Sequence, residues 1–231
     1  MNKLPGILLA VVIALIPGVC NAGDKLFLTG AEVTDASASY FYLGTSLPLP
    51  DSSLAKGYVF HLWADYLTYS YEAGITDVDA EVNSISASIG YHDSGASFWW
   101  NTRAGLIQSN TRLSPDDPGN ESSGRQTGVK LQIEGERQMT PDSKINGNLA
   151  FVSRRAAYWS RLRYLMRNND DTYHGPEFIV QGDENYEALQ LGWVLNELPL
   201  GGGWDIGVKG GMRLENSDIA VYVGVELGVL Y

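Results

Sequence analysis

The stretch IAVYVGVELGVLY, residues 219–231, decides the fold. Its odd positions read Ile219, Val221, Val223, Val225, Leu227, Val229 and Tyr231. Its even positions read Ala220, Tyr222, Gly224, Glu226, Gly228 and Leu230. Successive side chains of a strand point to opposite faces, so this segment has one apolar face and one small or polar face. A helix would scatter the same apolar residues around its cylinder. A long apolar strand left as a bare sheet edge invites aggregation, which favours a closed sheet. Two glycines weaken an ordinary strand, yet they suit the crowded inside of a barrel.

The same alternation recurs upstream. Tyr58, Phe60, Leu62, Ala64 and Tyr66 alternate with Val59, His61, Trp63 and Asp65. Ile85, Ala87, Ile89 and Tyr91 alternate with Ser84, Ser86, Ser88 and Gly90. Further runs centre on Arg103, Leu131, Leu162, Leu191 and Val208. Turn-forming residues separate them, among them Thr140-Pro141-Asp142, Asn168-Asn169-Asp170-Asp171 and Gly201-Gly202-Gly203. Counting runs between turns predicts about twelve strands, starting near residues 25, 37, 57, 82, 96, 124, 143, 156, 173, 186, 204 and 218. Ten is the alternative count, since the first two runs are the weakest. The fold class expected is all-β: an antiparallel up-and-down transmembrane β-barrel.

An even count puts both chain ends on one side, the periplasmic one in single-chain bacterial barrels. The longest connection, residues 109–123, and the acidic stretch 74–81 then fall outside the cell, and the triglycine turn falls in the periplasm. Residues 48–56 are the exception, a mid-length loop on the short-turn side.

Composition agrees with this reading. The chain has 231 residues, 26 Gly, 13 Tyr and 6 Trp, and only 19% charged residues. Barrels carry aromatic girdles at both membrane interfaces. The formal net charge of −11 disfavours nucleic-acid binding, which uses a basic face. Residues 1–22 read as a cleaved secretory signal: Lys3, an apolar run over residues 4–19, then Cys20-Asn21-Ala22 with small residues before the cut. Residues 23–231 are then a single barrel domain without cysteine, destined for the outer membrane, with outer-membrane lipids and lipopolysaccharide as its surroundings. The final aromatic, preceded by alternate apolar positions, resembles the C-terminal signal of chains inserted by the outer-membrane assembly machinery.

Charges of both signs fall on the polar faces. Asp65, Arg103, Lys130, Glu134, Glu136, Arg161, Arg163, Glu177, Lys209, Arg213 and Glu226 are expected to point into the lumen, with Gln190, Trp63, Trp99, Trp159 and Tyr222. In lipid, each Arg or Lys at mid-membrane would cost about 2–4 kcal/mol. Inside, the charges form either a salt-bridged plug or the wall of a narrow conduit or carbohydrate-binding lumen. Enzymatic motifs are thin. The three histidines, His61, His92 and His174, have no nucleophile elbow or zinc-type spacing to go with them. The triglycine lacks a following Lys-Ser/Thr and is a turn, not a phosphate loop. No catalytic residue, metal or cofactor is assigned.

Several segments together resemble the cellulose biosynthesis protein BcsS family. They are GYVFHLWADYLTYSY over residues 57–71, Gly90-Tyr91, Arg161-Leu162-Arg163, Gly175-Pro176-Glu177, Gly182-Asp183-Glu184-Asn185-Tyr186 and Leu191-Gly192. The resemblance implies an outer-membrane barrel acting beside cellulose synthase, with synthase components or a glucan chain as partners. It carries over no catalytic residues. The leading expectation is thus a non-enzymatic accessory of exopolysaccharide, chiefly cellulose, biosynthesis. The alternatives are a lipid-modifying acylhydrolase or acyltransferase, which needs a histidine near a serine at the outer interface, and a small diffusion channel.

Overall fold

The computed structural model describes residues 25–36, 38–168, 170–184, 186–215 and 218–231. The expected signal segment, residues 1–22, lies outside the described residues. Twelve strands follow one another along the chain: β1 (Leu26–Thr34), β2 (Ser39–Pro48), β3 (Lys56–Ala73), β4 (Thr76–Gly95), β5 (Phe98–Ser114), β6 (Gly124–Thr140), β7 (Ser143–Val152), β8 (Ala157–Arg167), β9 (Tyr173–Asp183), β10 (Tyr186–Gly201), β11 (Trp204–Glu215) and β12 (Asp218–Leu230). Each is antiparallel to its neighbours in sequence, and β12 returns to β1 to close the ring. The count is twelve, not ten, and the two weak runs near the start are β1 and β2.

Closure is made by β12, which carries most of the stretch 219–231. In β12, Tyr222 to Leu230 pair with β1 from Thr34 back to Leu26. Backbone bonds between Lys25 and Tyr231, at 3.0 and 2.9 Å, extend that seam past the strand ends. No strand edge is left along it, so the aggregation hazard of a bare apolar strand is removed.

Side-chain direction alternates around the whole ring. Ile85, Ile89, Leu106, Leu131, Ile133, Leu162, Leu191, Val208, Met212, Val221 and Val223 stand exposed on the outside. A soluble monomer rarely exposes so continuous an apolar surface. Near the rim that carries the chain ends, Phe27 and Trp204 meet edge to face at 6.2 Å, flanking Val229 on the β12 between them. Tyr58, Tyr91 and Trp100 continue this aromatic row, with ring centroids 5.3 and 6.1 Å apart.

The structure departs from the sequence expectation in three places. Residues 74–81 are not an outer loop: β3 and β4 pair up to Ala73 and Thr76. Val78 and Ala80 are buried toward the inside, and Asp77, Asp79 and Glu81 are exposed. The period-two pattern continues there, but its acidic half looks like loop chemistry. β5 likewise runs on to Ser114, which shortens the connection expected over residues 109–123 to 115–123. Finally, β10 carries a bulge: its pairing with β11 jumps from Leu195 to Leu198, with Glu197 at φ 60°. A bulge adds a residue on one strand and re-aims the side chains beside it.

Most connections are tight. The triglycine is a turn in which Gly201, Gly202 and Gly203 all take positive φ, a conformation open to glycine at little steric cost. The loop over residues 115–123 folds back over its rim. Ser122 is buried there, and the Tyr71 hydroxyl bridges Asp117 at 2.8 Å and Asn120 at 2.7 Å. Beside it, Arg155 and Asp183 form an ion pair at 2.7 Å.

Candidate functional site

The inward faces converge on three groups of side chains. The densest spans β8, β9, β11, β12 and β1. Glu177 is wholly buried and accepts the Arg163 Nε–H at 2.5 Å. Arg163 also grips Glu226 with both terminal nitrogens, at 2.9 and 3.0 Å. Arg161 reaches Glu226 at 3.2 Å. Lys209 lies 2.8 Å from Glu32, 3.6 Å from Glu226 and 3.9 Å from Glu177. Gln190 donates to Glu32 at 2.8 Å, and the Tyr222 hydroxyl to Glu177 at 3.4 Å. Cations and carboxylates alternate here, which is what lets charges stay in a low-dielectric interior.

Glycines make room for this group. A Cβ on Gly192 would lie 2.1 Å from the Tyr222 hydroxyl, and one on Gly44 would lie 2.2 Å from the Trp63 ring. Trp63 comes from the adjacent strand β3, and Tyr222 reaches over from β12, across Gly211 of β11. The Gly175-Pro176-Glu177 segment shows the same economy. Gly175 sits where β9 closely approaches β8, Gly175 and Pro176 fall where the β8–β9 ladder omits two pairs, and Glu177 turns inward. Proline cannot donate to a ladder, so the omission is its local signature.

The second group lies on β3 to β7. Glu134 accepts from Asn101 at 2.6 Å and Asn148 at 2.8 Å, and pairs with Arg103 at 3.5 Å. Trp63 stacks on Tyr42 at 4.7 Å and has the Lys130 ammonium 5.6 Å from its ring. His61 accepts at Nδ1 from Ser46 at 2.9 Å and Arg103 at 3.1 Å. Its Nε2 meets His92 Nε2 at 3.3 Å, and His92 Nδ1 meets the Leu54 carbonyl at 3.2 Å. One assignment satisfies this chain: His61 carries its proton on Nε2 and His92 on Nδ1, both rings neutral.

The third group sits near the rim of the chain ends. Lys144 binds Glu197 at 2.6 Å and Glu136 at 3.1 Å, and stands 3.9 Å over the Tyr173 ring. Two further lumen candidates flank the first group: Trp159 packs 5.6 Å from Arg161, and Arg213, opposite Gln190, pairs with Glu215 at 3.0 Å. His174 lies outside all three, tilted against Trp193 at 5.7 Å.

Sequence reasoning missed Glu32, Ser46, Asn101, Lys144 and Glu197. Glu32 is on β1, which carries Leu26 and Leu28 on the face of Gly30 and Glu32, so its amphipathic signal is weak. Glu197 turns inward through the bulge. The shift from Leu195 to Leu198 and Leu200 is the only trace of that bulge in the sequence.

Between the first two groups lies a cavity of about 490 Å³. Trp63, Trp99, Ser88, Asn101, Asn146 and Glu134 line it, and it reaches the rim at Leu26 and Leu230.

The sequence model of the cellulose biosynthesis protein BcsS family matches residues 26–230, all twelve strands. The chain belongs to that family. No curated protein matches it in sequence. Among solved structures, this BcsS-family chain is similar to the β domain of the Bordetella autotransporter Brka, at 14% identity and a TM-score of 0.55, over 91% of this chain and 100% of that one. It is similar to the translocator domain of the autotransporter NalP from Neisseria meningitidis, at 12% identity and a TM-score of 0.54, over 97% and 93%. It is also similar to the KdgM porin, at 12% identity and a TM-score of 0.50, over 87% and 97%. At such identities the likeness is one of fold: the BcsS-family chain is built as outer-membrane barrels are.

Proposed function

We propose that this protein is a non-enzymatic accessory of cellulose biosynthesis that sits in the outer membrane, chain ends toward the periplasm. The observation that carries the reading is the closed barrel itself, apolar outside and salt-bridged inside, in a chain of a cellulose biosynthesis family. The outer face fits lipid, and both chain ends share one rim, opposite the longest connection, residues 115–123, as in bacterial outer-membrane barrels. Against hydrolysis stands the surrounding of His61: Arg103 occupies the same ring nitrogen that Ser46 contacts, so that lone pair faces a cation. The Ser46–His61 pair also lies toward the rim of the chain ends, away from the outer interface that a lipid-modifying enzyme would use. A freely conducting pore is disfavoured by the buried ion-pair group across the lumen.

In a cellulose-producing strain, deleting the gene should lower surface cellulose, measured by dye binding and glucose release, and leave lipid A unchanged. Full cellulose output would refute the role. Membrane placement has its own test. Leu131→Arg puts a cation in the middle of the outward apolar face and should cost about 2–4 kcal/mol in unfolding from lipid vesicles. A loss under about 0.5 kcal/mol, normal for a surface site in water, would argue against lipid there.

A further inference from the structure

The cavity between the ion-pair groups has its own chemistry, and we infer that it is a blind binding pocket for a neutral β-linked glucan segment. The inference rests on the cellulose reading above for the identity of the sugar; the class of ligand comes from the walls. Its volume of about 490 Å³ is in the range of small-molecule sites. Two indoles, Trp63 and Trp99, share the lining with Ser88, Asn101, Asn146 and Glu134. A pyranose has the complementary surface: apolar C–H faces that lie on aromatic rings, and hydroxyls around its edge that donate and accept.

Charge selects a neutral ligand. Arg103 is answered by Glu134 at 3.5 Å, Arg161 by Glu226 at 3.2 Å and Asp93 by Lys56 at 3.8 Å. An ionic guest would have to break one of these pairs, whereas hydroxyls add to them. The polar wall also has spare capacity: among the described residues, Asn101 Oδ1 and Arg161 Nε are buried without a hydrogen-bond partner. Orphaned polar atoms of this kind are few in folded proteins.

Position gives the direction of access. The cavity reaches the rim that carries the chain ends, where Trp99 is partly exposed. Past it lies the ion-pair group of Arg163, Glu177 and Tyr222, and the opposite rim is roofed by the Ser122 loop. A chain end entering from the periplasm would be held, not passed through.

The test is calorimetric titration of the full barrel, folded in detergent, with cellotetraose, maltotetraose and tetragalacturonate. Saturable binding of cellotetraose, stronger than that of the other two, is expected. Trp99→Ala should weaken it roughly 3- to 10-fold, the worth of one aromatic platform. Ser88→Phe fills the cavity without removing a wall and should abolish binding; heat-modifiable migration on gels shows that each variant is folded. Absence of cellotetraose binding by folded wild-type barrel overturns the pocket, as does preference for the anionic sugar or unchanged binding in folded Ser88→Phe. If deletion lowers cellulose while folded barrel ignores cellotetraose, the accessory role stands and the pocket falls.

Discussion

Glu177→Ala is expected to destabilise the barrel by about 3–5 kcal/mol, the usual consequence of removing one partner from a buried ion pair. Glu177 has no exposed surface, and Arg163, Lys209 and Tyr222 all address it. Alanine would leave two cations facing Glu226 and Glu32 alone, with a void where the carboxylate was. Urea unfolding of the variant in lipid vesicles, followed by tryptophan fluorescence, gives the number. A second variant separates pairing from packing. Glu177→Leu combined with Arg163→Met removes both charges and keeps volume, so it should recover much of the loss, since replacing a whole buried pair by apolar groups is often neutral. A cost of Glu177→Ala below about 1 kcal/mol, the value of an exposed pair, would mean that water reaches this group freely.

Gly175→Ala is the second large effect, and its cause is steric. A Cβ at this position would lie 1.9 Å from the Tyr164 carbonyl oxygen and 3.3 Å from Leu165 Cα, both on β8. Backbone cannot swing aside as a side chain can, so β8 and β9 would have to separate just where Arg163 must reach Glu177. The expected cost is about 3 kcal/mol or more, at or beyond the upper end of overpacking penalties. It should appear as a large drop in the heat-modifiable, folded fraction after refolding. Gly147→Ala is the control: there the nearest atom to a new Cβ is 3.9 Å away. That variant should fold within about 0.5 kcal/mol of wild type. Equal refolding of the two variants would remove the close-approach explanation of the Gly-Pro-Glu segment.

These two residues show how far the sequence could be read. Gly175-Pro176-Glu177 stood out as a motif, and Glu177 was placed on an inward face with Arg163 by parity alone. That the two are partners was not legible. Nor was the reason for the glycine, which lies in the backbone of another strand. His61 shows the same division. Its inward direction follows from Trp63 and Asp65 two and four positions on. Its contacts with Ser46, His92 and Arg103 come from three different strands.

The acidic run at 77–81 and the shift at Glu197 mark the two ways in which pattern reading failed. In the first, the alternation persisted in residues that also suit loops. In the second, one extra residue reverses the parity of β10 between Leu195 and Leu198, so Glu197 turns inward where plain alternation would put it outside.

What the sequence by itself determined is the faces of most strands: alternating runs, apolar outward and polar inward, in about twelve strands. That information is local, because successive side chains on a strand must point in opposite directions. What only the tertiary structure decided is which inward groups meet. Arg163 and Glu226 lie 63 positions apart and come together at 2.9 Å because of the stagger of strands around the ring. Stagger is a property of the closed sheet as a whole, so no single segment encodes it.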